Sequence, residues 1–504
     1  MWERERRRLH KAAAAARFGQ RHAAFGLAGG LLAFLVLLSL PVPDGLSPAA
    51  WATVAVAALM AIWWTSEALP VAATALVPLV LFPLLGVSAL ADTAASYAHP
   101  LIFLFLGGFL LAQAMQQWNL HRRLALSIAV RAGGEPQRLI AGFMLATAVL
   151  SMWVSNTATV IMMLPIAASV VGVVIANSPH ASGADRHRFG LACMLSIAYG
   201  ANVGGIGTLI GTPPNALLAA FFQQTYGIEV SFVGWMALAM PLVVLMLPIA
   251  WFAVTHVIYR FDLGRSLEDA AHGRDMVRAA LAGLGPWTTA EKRVALVFAA
   301  MAGLWLTRPV LDDLPGLAAL SDPGIAIAGA LVLFLTPAGM TGEAAAKRLL
   351  DWDGASKIAW DVLVLFGGGL ALAAAFRSSG LAEVLGTGLS GLAWLPLAAF
   401  IMAVTALVSA LTQVTSNTAT VAALLPVIAA LAEAAGSPPM MLAAAAVMAA
   451  SCAFMLPIAT PPNAIVFASG YVTIPEMVRA GLAINLIAVG IITAVVYVMV
   501  PLIF

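Results

Sequence analysis

The sequence predicts an all-α polytopic membrane protein: about 11 transmembrane helices plus two re-entrant hairpins, an inverted-topology repeat with two broken helices. Three observations lead there: an apolar composition too rich for a water-soluble chain, two overlong apolar segments with polar middles, and motifs that recur in the same order in both halves. Of 504 residues, 62% are hydrophobic and 10% charged, and the mean hydropathy is +0.97. A soluble fold of this length cannot bury that much apolar surface, so the bilayer has to cover it. At about 20 apolar residues per crossing, the length allows about ten to twelve spans and leaves little for a soluble domain. The same composition excludes a nucleic-acid binder, a secreted disulfide scaffold and a disordered chain. The net charge of +2 says nothing about partners, so the distribution of charge carries the information. Cys193 and Cys452 both lie in apolar runs without metal-ligand spacing and read as small core residues.

The first 22 residues carry seven basic side chains (Arg4, Arg6, Arg7, Arg8, Lys11, Arg17 and Arg21) ahead of the apolar run Phe25–Pro41. With so much membrane sequence behind it, this run reads as an uncleaved first helix whose basic flank stays in the cytoplasm. Apolar segments follow near 49–66, 70–86, 99–117, 137–176, 187–223, 232–257, 294–309, 324–337, 361–377, 393–434, 440–470 and 477–503. Segments 137–176 and 393–434 are each about 40 residues long, with Ser155-Asn156-Thr157 and Ser416-Asn417-Thr418 at their centres. Each half is short for a crossing, so each segment is expected to enter and leave by the same face. Segment 187–223 is interrupted by GGIGTLIGTPPN (Gly204–Asn215) and 440–470 by PIATPPN (Pro457–Asn463). Proline and glycine remove helical hydrogen bonds there and leave unwound stretches inside the membrane.

With 11 crossings, two hairpins and the N-terminus inside, 23 of the 25 Lys and Arg residues fall on the cytoplasmic side, four of them across Arg122–Arg138. Only Arg308 and Arg377 fall outside. That excess orients the chain with its N-terminus in the cytoplasm, and the inner (plasma) membrane of the cell is its expected location. The loop near 259–293 mixes both signs of charge and reads as an interfacial amphipathic segment and linker.

Self-similarity is the strongest signal. SNTATVIMMLP (155–165) recurs as SNTATVAALLP (416–426), identical at eight of 11 positions at an offset of 261. GTPPNA (211–216) recurs as ATPPNA (459–464) at an offset of 248, and FLGG (105–108) as LFGG (365–368) at 260. Ordered pairs imply a duplication. Five crossings separate corresponding elements, so the halves are inverted, and inverted repeats with broken helices are a signature of secondary transporters.

Acidic residues are nearly absent from the spans. Glu67, in WWTSEALP, reads as a helix-terminal or interfacial carboxylate. No Lys, Arg or His lies beside the repeated motifs. A cation there has only backbone carbonyls and Ser, Thr and Asn oxygens to bind, which suits sodium better than calcium or a transition metal. An anion would meet the donors of Asn156, Thr157, Asn417 and Thr418 and the N-termini of the helical arms that start at the tips. Two such ends, each with a sodium ion beside it, suit a dicarboxylate and make ion and anion binding mutually favourable. A single Ser-Asn-Thr in a membrane helix is ordinarily a packing feature; two, each followed by a TPPN break, point to a site. The FLGG and FGGG runs read as close helix packing, and the 13 tryptophans, Trp63-Trp64 foremost, as interfacial belts.

From Trp63 to the C-terminus, WWTSEALP, the two SNTAT tips, GTPPN and MLPIATPPNAI (455–465) resemble the divalent anion/sodium symporter family, the INDY-type dicarboxylate and citrate carriers. The resemblance implies a first sodium site at Ser151, Ser155, Asn156 and Gly204, and a second at Thr412, Ser416, Asn417, Ala459 and Pro461. It implies substrate contacts from Asn156, Thr157, Gly205, Asn417, Thr418 and Thr460. It further implies a homodimer and an elevator motion. The transport domain would be 133–258 and 391–504, the scaffold 1–132 and 294–390, and the linker 259–293. The activity so implied is sodium-coupled import of C4-dicarboxylates such as succinate, malate or fumarate. A sodium-independent dicarboxylate exchanger of the same fold, a sodium-coupled citrate or sulfate carrier and a channel stay open at this stage. An enzyme or ATP-driven pump is disfavoured, because no GxxxxGK[ST] loop and no HExxH motif occurs.

Overall fold

The computed structural model describes residues 23–178, 180–263, 267–317, 319–339, 346–384 and 396–504. The basic tail, the first residues of the second apolar hairpin and the 390/391 domain junction lie outside the described residues. Among those described, the chain is helical throughout, and its only extended pairing is one isolated bridge between Pro337 and Arg348. Nine helices are long and apolar enough to cross a membrane, and five shorter apolar ones accompany them. The expected segments recur as helices in order. The two overlong ones divide at their polar tips, into Pro136–Ser151 and Asn156–Ala176 and into Leu397–Leu411 and Asn417–Ala434.

Contacts divide the chain into two compact units. One comprises Met1–His99, Asp361–Trp394 and Thr418–Pro439. Within it, close packing is set by glycine: a Cβ on Gly368 would collide with the Ala75 backbone, and one on Gly367 with the ring of Tyr97, whose hydroxyl donates to Ala75 O. This is the packing role expected of the FGGG run. Glu67 ends the helix Pro48–Ser66 in the left-handed region (φ 49°), exposed, as a helix-terminal carboxylate. Trp63 and Trp64 depart from expectation. Both are buried, with their indole N–H groups donating to Leu27 O (3.3 Å) and Val71 O (3.1 Å). An indole whose one donor finds a backbone carbonyl has no need of the wet interface.

The other unit comprises Pro100–Trp360, Leu395–Asn417 and Met440–Phe504. Its centre is the helix Gly183–Ile206, buried at every position from Phe189 to Ile206. Its repeat counterpart Pro439–Ser451 is buried from Met440 to Ser451. Such helices are apolar all round because every face meets protein. Both arms of the first hairpin, Pro136–Ser151 and Asn156–Ala176, pack on Gly183–Ile206. Glycine again allows the approach: a Cβ on Gly200 would stand 2.6 Å from Met144 O, and one on Gly107 2.5 Å from the Ala326 backbone. The basic stretch Arg122–Arg138 is not simply a solvated loop. Arg123 is buried on the helix Leu120–Arg131 and pairs with buried Glu291 at 2.9 Å, while donating to Gly285 O at 3.1 Å.

Both central helices stop where expected. After Ile206 the chain is unwound until Pro213, and after Ser451 until Pro461. Each new helix begins on proline, whose missing N–H costs nothing in the first turn. The carbonyls freed by each break are collected by the asparagine of the TPPN motif. Asn215 Nδ2 donates to Gly205 O (3.1 Å) and Thr208 O (2.7 Å), and Asn463 Nδ2 to Ala453 O (2.9 Å) and Leu456 O (3.0 Å). These carbonyls are equivalent under the 248-residue offset of the repeat. Both asparagines are fully buried. Asn215→Ala and Asn463→Ala should therefore each orphan at least two carbonyls and cost about 1–3 kcal/mol. The expected outcome is a fall of several degrees in the Tm of the purified protein in detergent; an unchanged Tm contradicts the assignment.

Candidate functional site

The first tip is built by Ser155, which caps the helix Asn156–Ala176 by accepting from Ala158 N at 3.3 Å. The cap turns Asn156 back toward the preceding arm, where Ser151 Oγ donates to Asn156 Oδ1 at 2.6 Å. Gly205 lies against this pair: a Cβ there would stand 2.6 Å from Asn156 Oδ1 and 3.1 Å from Asn156 Nδ2, so a side chain would fill the space beside the amide. Gly204 is as tightly held, against the backbone of Ala148. Thr208 Oγ1 ties the break to the tip by donating to Met152 O at 2.5 Å. Ser151, Asn156, Gly204 and Gly205, joined only by expectation in the sequence, are thus neighbours, and Ser155 and Thr157 flank them in the chain.

The second tip repeats the arrangement. Thr412, 261 residues after Ser151, donates to Asn417 Oδ1 at 2.5 Å. The hydroxyl also lies 2.9 Å from Ala450 O, at the end of the central helix. Here the tie between break and tip is reversed: Gln413 Oε1 accepts from Met455 N at 3.0 Å. Thr460 caps the helix Pro461–Ala468, accepting from Asn463 N at 3.3 Å, and is buried with Ala459, whereas Pro461 is exposed. Ser416, Asn417 and Thr418 are half-buried. Thr418 begins the segment assigned to the other unit.

The two breaks meet through Asn202. Its Nδ2 lies 3.2 Å from Thr460 Oγ1 and 3.3 Å from Ala453 O, so an amide of the first broken helix holds the loop of the second. The helix Pro461–Ala468 packs on both Asn156–Ala176 and Gly183–Ile206. The converse contact is missing, because the repeat places Ala450 where Asn202 stands. Accordingly Thr212 Oγ1 and Asn215 Oδ1 are buried without a hydrogen-bond partner, whereas the equivalent oxygens of Thr460 and Asn463 are satisfied. The sequence reading missed Asn202 and Gln413. The available signal was a lone amide in a wholly apolar run and an amide beside a tip whose counterpart is Met152.

No residue of either tip or break is charged, and among the described residues no group of three or more His, Cys, Asp or Glu gathers to hold a metal. The chemistry on offer is therefore hydroxyl, amide and carbonyl oxygen for a hard monovalent cation, and amide, hydroxyl and helix N-terminal donors for an anion.

Residues 23–503 match the family model for the sodium:sulfate symporter transmembrane region. The sodium-dependent dicarboxylate transporter SdcS of Staphylococcus saprophyticus is 40% identical over 480 residues, 94% of this chain and 91% of that one. SdcS of Staphylococcus aureus strain USA300 is 40% identical over 483 residues, 95% of this chain and 91% of that one. Among solved structures, the YdaH transporter of Alcanivorax borkumensis has a TM-score of 0.55 at 17% identity, covering 81% of this chain and 87% of that one. MtrF of Neisseria gonorrhoeae has a TM-score of 0.53 at 14% identity, covering 81% and 83%. At these identities the likeness is one of fold alone. The duplicated tips and breaks and a family match running almost from end to end agree: the chain belongs to the divalent anion/sodium symporter family of multi-pass membrane transporters.

Proposed function

We propose that this protein imports C4-dicarboxylates such as succinate, malate or fumarate across the plasma membrane, coupled to sodium. The observation that carries the reading is the duplicated hydroxyl–amide contact, Ser151 with Asn156 and Thr412 with Asn417, each beside an unwound break and with no charged residue in either tip or break. The names of the SdcS relatives, sodium-dependent dicarboxylate transporters, support the ion and the substrate class. The absence of Lys and Arg from the tips supports symport over exchange, since an exchanger needs protein charge where a symporter uses sodium.

In this reading one sodium ion takes Ser151, Ser155 and Asn156 with the backbone of Gly204, and the other takes Thr412, Ser416 and Asn417 with the backbone of Ala459 and Pro461. Each hydroxyl proton rotates away so that Ser151 Oγ or Thr412 Oγ1 and the neighbouring Oδ1 present lone pairs to the ion. The Nδ2 groups of Asn156 and Asn417 then face outward as donors to the substrate carboxylates, joined by Thr157, Thr418 and the Gly205 backbone. Thr460 joins them because its Oγ1 already accepts from Asn202 and Asn463, which leaves its proton to give. One amide thus binds the ion through oxygen and the anion through nitrogen, so each ligand raises the affinity for the other, by about 1–3 kcal/mol for such couplings. Segments 133–258 and 391–504 would travel as the transport domain against a scaffold of 1–132 and 294–390, joined by the linker 259–293, with the protein acting as a homodimer and its N-terminus in the cytoplasm.

Labelled succinate uptake into proteoliposomes tests the reading. Accumulation is expected under an inward sodium gradient and not under an equal potassium gradient; uptake that requires internal dicarboxylate, whatever the cation, contradicts it. Asn156→Ala and Asn417→Ala should weaken apparent sodium and succinate affinities together, each about tenfold or more, as for loss of a charge-assisted bond of about 1.5–3 kcal/mol. Unchanged sodium dependence would remove those amides from the ion sites. Thr157→Val and Thr418→Val keep shape and lose a hydroxyl. Succinate affinity should fall by about two- to tenfold with sodium affinity little altered, and equal losses would count against the division of roles.

A further inference from the structure

A second cluster of charge lies well away from the tips, where three spans end together: the start of Gly183–Ile206, the end of Phe232–Ile258 and the start of Ile474–Ile503. They enclose a cavity of about 510 Å³ lined by Arg188, Arg260 and Arg479, with His187, Tyr259 and Glu476. The one carboxylate among these lining residues is already engaged. Glu476 accepts from Thr473 N at 2.9 Å and Thr473 Oγ1 at 2.6 Å, and meets His187 Nε2 at 2.7 Å. Arg188 is oriented by donating to Arg260 O at 3.2 Å and lies 3.8 Å from Asp185, outside the cavity lining. The guanidiniums of Arg260 and Arg479 have no ion-pair partner among the described residues. Three guanidiniums facing one occupied carboxylate leave the cavity positive.

The surface continuing from the cavity into the membrane region is apolar. On Ile474–Ile503, Arg479, Leu482 and Leu486 follow at helical spacing on one face, and both leucines are exposed. On the neighbouring helix, which packs against it, Phe252 and Val257 are exposed below Arg260. A basic hollow at the level where helices leave the bilayer, continuous with exposed apolar side chains below it, is the shape of a lipid and not of a free ion. We propose that this cavity seats the phosphate of an anionic phospholipid, with its acyl chains lying along Leu482 and Leu486 and along Phe252 and Val257. The site is separate from the transport reading above and stands or falls without it. Lipid occupancy would brace the start of the first broken helix, Gly183–Ile206, against the ends of the spans Phe232–Ile258 and Ile474–Ile503.

Native mass spectrometry of the full chain, with phosphatidylglycerol, chain-matched phosphatidylcholine and inorganic phosphate as separate probes, tests the proposal. Phosphatidylglycerol should bind at least about tenfold more tightly than phosphatidylcholine. The double variant Arg260→Gln/Arg479→Gln should lose most of that preference while eluting as the wild type does, since both side chains are exposed. Leu486→Ser, which leaves the basic cavity intact, should weaken phosphatidylglycerol without changing what phosphate does. Equal binding of the two lipids, or full phosphatidylglycerol binding by the double variant, overturns the proposal. Inorganic phosphate displacing phosphatidylglycerol at equal concentration would make this a soluble-anion site and overturns the lipid assignment.

Discussion

A backbone polar group freed inside a hydrocarbon layer and left without a partner costs on the order of several kcal/mol, and everything distinctive in this protein follows from how its two breaks avoid that cost. Asn215 and Asn463, in the first turn of the arms that follow, each gather carbonyls from the break before them, so each loop is tied by one amide to the helix it leads into. The arms that follow begin on Pro213 and Pro461, which bring one N–H fewer to satisfy. With the loops held in this way, each hairpin tip can rest on a loop of its own repeat, and the hydroxyl–amide pairs are held in register by the same contacts. The proposed site of neutral oxygens and N–H groups depends, in a membrane, on the carbonyls around it having partners of this kind.

The two halves are alike in the geometry of their tips and unlike in fastening. Thr208 reaches from the first loop to the first tip through its side chain, while Gln413 reaches from the second tip to the second loop. Asn202 binds the second loop to the first broken helix, and Ala450 returns nothing. After duplication the geometry of the tips is retained, and the means of holding them has diverged. The asymmetry leaves Thr212 Oγ1 and Asn215 Oδ1 unpartnered in the first half alone, so the surroundings of the two tips are not interchangeable.

Much of this was legible in the sequence, for physical reasons. Spans are read from hydropathy, because lipid demands long apolar helices. The breaks are read from Pro and Gly, because these residues forfeit helical bonds, and the tips from exact recurrence of polar residues where none is expected. Cys193 and Cys452 are buried free thiols as their apolar settings implied. What was not legible depends on contacts distant in sequence. Arg123 and Glu291, 168 residues apart, look like surface charge until the fold buries both. Asn202 looks like a packing residue until the break opposite it is in view. Trp63 and Trp64 were expected at an interface because tryptophan prefers it, yet carbonyls of Leu27 and Val71 satisfy their indoles in the interior.

The central claim is that each repeat contributes one oxygen-lined cation site built on a hydroxyl–amide pair. Sodium-dependent thermal stabilisation of the purified protein, titrated at fixed succinate against choline in the wild type, Ser151→Ala and Thr412→Val, tests it most directly. The account expects cooperative stabilisation by sodium in the wild type, with each variant shifting the titration to higher sodium and lowering its cooperativity. Titrations in both variants that superimpose on the wild type would contradict it.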